Sequence, residues 1–115
     1  MKQRRVSAGE LRDWFDTYNV LYFYDRLPHN AILYFVEMKN SADCETHKTE
    51  IDGQTWIEIR INKGLQYFPN EARVAVLHEM NHAWGDLTDH RINHGPRFDK
   101  GIARLWRMGA YKGLL

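Results

Sequence analysis

The chain reads as a single α+β domain spanning residues 1–115, and three observations carry that reading. A capped amphipathic stretch lies near the N-terminus, two β-rich segments occupy the middle, and two helical patterns follow Pro69. Ser7 followed three residues later by Glu10 is a capping-box signature, after which Leu11, Trp14, Phe15, Tyr18, Leu21 and Tyr22 recur at helical spacing. A first helix is expected, ending near Leu27-Pro28. The apolar run from Ala31 to Met38 is short and rich in β-formers, which suits a buried strand. Downstream, Ile57, Ile59 and Ile61 alternate with Trp56, Glu58 and Arg60, and Asp52-Gly53 is a favoured tight-turn dipeptide. A hairpin from about Thr46 to Asn62 follows, giving a small antiparallel sheet. Pro69-Asn70 supplies a helix start, and Val74, Leu77, Ala83 and Trp84 interleave with polar residues as far as Gly85. Pro96 then opens a C-terminal helix with Phe98, Ile102, Leu105, Trp106 and Gly109 on one face and Arg97, Lys100, Arg104 and Arg107 roughly opposite.

Composition narrows the class. Hydrophobic residues make up 43% of the chain and aromatics 13%, too rich for a disordered segment. No apolar run approaches the length of a membrane span, and Met1-Lys2-Gln3-Arg4-Arg5 does not lead into a secretory apolar stretch, so a soluble, cytoplasmic protein is expected. The single cysteine, Cys44, excludes an intrachain disulfide and a cysteine-based zinc finger, which leaves histidines and carboxylates to hold any metal. A net charge of +1 hides basic termini, with Lys2, Arg4, Arg5 and Arg12 at one end and Arg91, Arg97, Lys100, Arg104, Arg107 and Lys112 at the other. Such asymmetry suits either a polyanion partner or plain solubility.

The segment His78-Glu79-Met80-Asn81-His82 matches HExxH. Side chains four apart on a helix are neighbours, with Cβ atoms about 5–6 Å apart, so both imidazoles can reach one zinc ion. Water in a remaining coordination position has its pKa lowered to roughly 7. Glu79, one residue beyond the first ligand, is placed to take the proton from that water and return it to a leaving group. The bland alternative makes these histidines ordinary polar residues, but the apolar neighbours indicate a largely buried helix, and buried histidines need partners.

Two histidines follow. A ligand six residues after His82 would complete a metzincin pattern, but that position is Thr88. His94 is favoured as third ligand over His90, because it immediately precedes Gly95-Pro96 and a short loop can return it to the metal. His90 sits among Asp86, Asp89 and Arg91 and reads as exposed or as support to a ligand.

Three segments together resemble the SprT-like zinc metallopeptidase family, which includes Spartan-related proteases of DNA–protein crosslinks. They are Asn19-Val20-Leu21-Tyr22-Phe23 with Leu27-Pro28, Leu77-His78-Glu79-Met80-Asn81-His82-Ala83-Trp84, and His94-Gly95-Pro96-Arg97-Phe98. The resemblance implies a zincin-like core, Zn2+ as cofactor, His94 as third ligand and a tendency to act on DNA-associated proteins. Many such proteins continue into a cysteine-rich zinc-binding segment, and with Cys44 as the single cysteine no zinc ribbon is expected within residues 1–115.

The expected function is a zinc peptidase with His78, His82 and His94 on the metal and Glu79 as base. The rival is a zinc-stabilised nucleic-acid or protein-binding module without turnover. Arg97, Lys100, Arg104 and Arg107 are candidates for DNA phosphates, against the reading of a solvated helix face. Arg97 and Tyr111 are candidate transition-state donors. Cys44 receives no role. Trp14, Phe15, Trp84, Phe98 and Trp106 are assigned to the core, and His29 and His47 to exposed loop and strand-edge positions.

Overall fold

A computed structural model describes residues 4–89 and 96–115. Its elements run α1 (Ala8–Tyr22), β1 (Ala31–Val36), β2 (Ala42–Lys48), β3 (Thr55–Asn62), a 3-10 turn (Lys63–Tyr67), α2 (Pro69–Asp89) and α3 (Pro96–Arg107). Among the described residues no helix is long and apolar enough to cross a membrane.

The first helix starts as its sequence dictates. Ser7 Oγ accepts from the Glu10 amide at 3.1 Å while Glu10 Oε1 accepts from the Ser7 amide at 3.4 Å, closing the capping box. Leu11, Phe15 and Tyr18 form its buried stripe, but Leu21 stays exposed. The helix also stops at Tyr22, short of the expected Leu27. Asn19, 1% exposed, organises the exit: its carboxamide donates to Leu27 O at 3.0 Å and accepts from Leu27 N at 3.1 Å. The intervening loop puts Tyr24 and Asp25 in the left-handed region, at φ 56° and 55°. Such conformations cost on the order of 1 kcal/mol each and persist where surrounding bonds over-determine them.

The sheet corrects one expectation. It is mixed rather than antiparallel, in the order β1-β3-β2, with β1 parallel to β3 and β2 antiparallel to it. Composition explains the order. Ile57, Ile59 and Ile61 are fully buried, so β3 gains most from the centre, whereas the polar β2 tolerates the edge. The hairpin strand β2 begins at Ala42, earlier than Thr46, and Gly53 serves the turn at φ 69°.

One face of the sheet, with Ala31, Leu33 and the three isoleucines, packs against α1 and α2, where Leu77 and Met80 are fully buried. The other face carries Tyr34, Asp43, Glu45, His47, Trp56, Glu58 and Arg60 by strict alternation. The second helix runs through Gly85 to Asp89, beyond its expected end. Trp106, expected in the core, is 54% exposed, and Leu105 fills the core position instead.

Removing the carboxamide in Asn19→Leu strands the Leu27 amide and carbonyl in a buried setting. The variant is expected to lose about 1–3 kcal/mol of stability, read as a lower urea midpoint with an unchanged m-value.

Candidate metal centre

His78, Glu79 and His82 sit in the middle of α2, one turn apart, and all three line a cleft of ≈ 980 Å³ between α2 and the N-terminal half of β2. The imidazole centroids are 4.9 Å apart. Ala42, Asp43 and Cys44 of the edge strand also border the cleft, as do Leu65, Val74 and Leu114. A bond from Thr46 Oγ1 to Asp86, one turn beyond His82, ties the edge strand to the helix.

Glu79 is only 5% exposed. Burial pushes its carboxyl up to about 7, and the Asp43 carboxylate adds to the rise. A cation held by the two imidazoles pulls in the opposite direction. Cys44 faces the same cleft, where burial first and then Glu79 and Asp86 push its thiol far above the ordinary value. That environment leaves an inert thiol, consistent with assigning it no role.

The donor set is of a kind that zinc takes, as far as it is described: two imidazoles on consecutive turns, with a carboxylate beside them. His90 and His94, the candidates for the third ligand, lie outside the described residues, as does the side chain of Arg97. Among the described residues, the three-donor cluster that the fold assembles is elsewhere, at Glu45, His47 and Glu58.

The sequence reading missed what holds α3 against this site. Phe98 stacks on His82, with ring centroids 4.3 Å apart and 30° between planes, and meets His78 edge-on at 4.9 Å. Its aromatic ring therefore buttresses both imidazoles rather than filling a remote core. Asn81, 3% exposed, donates to Phe98 O at 3.1 Å, and its carboxamide lies where any Cβ on Gly101 would go. The α2–α3 approach is closer than a side chain at 101 permits. The residues between the two histidines of the motif thus have separate work: Glu79 and Met80 are buried, and Asn81 locks the neighbouring helix.

The basic face of α3 needs correction at Arg104. Its guanidinium does not face away from the core. It donates to Tyr22 O at 2.5 Å and lies over the rings of Phe23, Tyr24 and Trp84 at 5.2, 5.9 and 5.9 Å. Arg104 thereby caps the C-terminal end of α1, where a cation is favoured. Lys100 and Arg107 are exposed. Tyr111 is buried against Trp106, centroids 5.0 Å apart, and does not line the cleft.

The fold and site define an α+β domain with a helix-borne His-Glu-x-x-His constellation in an open cleft. Compared with known proteins, the chain matches no family model, no curated protein and no solved structure.

Gly101→Ala is expected to cost about 1–3 kcal/mol by overpacking. The same change made on an Asn81→Ala background should cost far less, because the obstructing carboxamide is gone. A double-mutant cycle in urea measures the coupling, and additive losses would contradict the contact.

Proposed function

We propose that this chain is a zinc-dependent peptidase of zincin-like type, in which His78, His82 and His94 hold the metal and Glu79 moves the proton. One observation carries the reading: two imidazoles with centroids 4.9 Å apart open into the same cleft as a buried glutamate between them in sequence. The likeness of the three sequence segments to SprT-like peptidases supports it. Zinc, when bound there, acidifies water to a pKa of roughly 7 and draws charge from a carbonyl oxygen. Glu79 takes a proton from the attacking water as the water oxygen bonds to the carbonyl carbon. When the C–N bond breaks, Glu79 returns that proton to the departing amine.

The cleft suits an extended chain. The strand β2 has a neighbour on one side only and borders the cleft, so its outer backbone groups suit a substrate segment laid alongside. The segment joining α2 to α3 would supply the third ligand, and Phe98 with Asn81 would hold α3 where that segment must end.

Zinc content tests the ligands. Purified protein should carry zinc at this site, lost in His78→Ala and His94→Ala and kept in His90→Ala. The reverse pattern for the last two assigns the ligand to His90. Glu79→Gln should retain zinc and fold while hydrolysis falls by about 10²–10⁴-fold. Equal behaviour of wild type and Glu79→Gln on protein substrates, with and without DNA, would favour a zinc-stabilised binding module.

DNA-associated proteins are the proposed substrates, with duplex phosphates docking on the exposed Lys100 and Arg107 of α3 and on Arg97. The double charge reversal Lys100→Glu/Arg107→Glu should remove DNA stimulation of cleavage while leaving zinc content unchanged. Stimulation in the wild type should fade with rising salt, since several phosphate contacts lose orders of magnitude in affinity over a few-fold increase. Equal cleavage with and without DNA at low salt removes DNA from the mechanism.

A further inference from the structure

The outer face of the sheet carries a cluster that the peptidase reading does not use. Strand alternation sends Cys44 and Thr46 towards α2 and sends Asp43, Glu45 and His47 to the opposite face, beside Trp56, Glu58 and Arg60 of β3 and Tyr34 of β1. In the antiparallel register Glu45 stands directly opposite Glu58. Like charges in that position destabilise a sheet unless something positive lies between them.

Each carboxylate is tied back by one oxygen and turned inward by the other. Tyr34 Oη donates to Glu58 Oε2 at 2.5 Å, and Arg60 Nη2 donates to Glu45 Oε1 at 2.7 Å. The remaining oxygens both face one atom, His47 Nε2, which lies 3.1 Å from Glu58 Oε1 and 3.5 Å from Glu45 Oε2. The imidazole is held in that direction by stacking on Trp56, centroids 4.2 Å apart and 20° between planes. One donor atom from each residue lies within 4.8 Å of the other two.

We propose that Glu45, His47 and Glu58 form a second divalent-cation site, distinct from the cleft and suited to zinc or a similar transition metal. The two separations from His47 Nε2, 3.1 and 3.5 Å, match those between ligands of one ion. With metal–ligand bonds of about 2.0–2.2 Å, neighbouring ligands of one ion stand about 3.0 Å apart in octahedral geometry and about 3.4 Å apart in tetrahedral geometry. One nitrogen and two carboxylate oxygens are a donor set for borderline cations, and water can complete the shell on this accessible face. Charge points the same way. Asp43, Glu45 and Glu58 surround a single guanidinium, Arg60, which leaves two negative charges uncompensated when His47 is neutral. Tyr34 and Arg60 stand where supporting groups orient metal-bound carboxylates. A cation takes the Nε2 lone pair, so the neutral imidazole that binds it carries its one N–H proton on Nδ1. The bound ion would join β2 to β3 across the edge of the sheet.

Calorimetric titration of the metal-stripped full chain with Zn2+ separates this site from the cleft. His47→Ala should bind one equivalent fewer than wild type, and Glu58→Gln, which keeps an acceptor for Tyr34, should weaken the same equivalent at least tenfold. The His78→Ala/His82→Ala variant should retain it. If the cleft binds no zinc, wild type binds one equivalent and His47→Ala none, so failure of the peptidase reading is distinguishable. An unchanged stoichiometry and affinity in both His47→Ala and Glu58→Gln would overturn the proposal and leave the cluster a proton-bridged network.

Discussion

Everything at the cleft depends on how α2 divides its circumference. Val76, Leu77 and Met80 are fully buried in the one core that also takes the isoleucines of β3, and each such side chain contributes roughly 1.5–3 kcal/mol. With about 100° between successive residues, seating that stripe leaves His78 and His82 on the opposite face of the helix, in the cleft that the edge strand borders. A helix rotated by one position would carry His78 into the place that Leu77 fills in the core. The core therefore sets the direction in which the histidines point, and the edge strand is what they point beside.

Besides Leu105 in the core, the third helix is held by three contacts of other kinds. Gly101 admits Asn81 closely, Phe98 lies on both imidazoles, and Arg104 reaches the carbonyl that ends α1. These three contacts lie along α3 and fix its height and tilt relative to α2. They also connect the loop after Asn19 to the cleft, because the rings under Arg104 include Phe23 and Tyr24 from that loop and Trp84 from α2.

The two faces of the sheet have opposite chemistry for the same reason. Alternation along β3 gives three fully buried isoleucines on one side and Trp56, Glu58 and Arg60 on the other. On the outer side Tyr34 and His47 hydrogen-bond to Glu58, which holds that carboxyl below its ordinary value despite the partial desolvation that opposes this. Arg60 bonds to Asp43 and Glu45 and lies near Glu58, linking the charges into one network that spans all three strands.

Sequence by itself determined the parts of this protein that are local. The Ser7–Glu10 box, the period-two isoleucines and the four-residue spacing of His78 and His82 each act within a turn or a strand, where backbone geometry alone sets the outcome. The cysteine count and the absence of an apolar span likewise limited the chemistry before any contact was known. Tertiary structure decided what depends on partners far away in the chain. The parallel placement of β1 beside β3 follows from competition for the sheet centre, which no single segment reveals. The withdrawal of Arg104 needed the end of α1, 82 residues away in sequence, and the periodicity that put it on a polar face could not register that partner. Phe98 looked like a core aromatic and Gly101 drew no reading, because their meaning comes from the facing side chains of α2. Glu45, His47 and Glu58 became a cluster only through strand register, since pairing rather than spacing brings residues of two strands to one point.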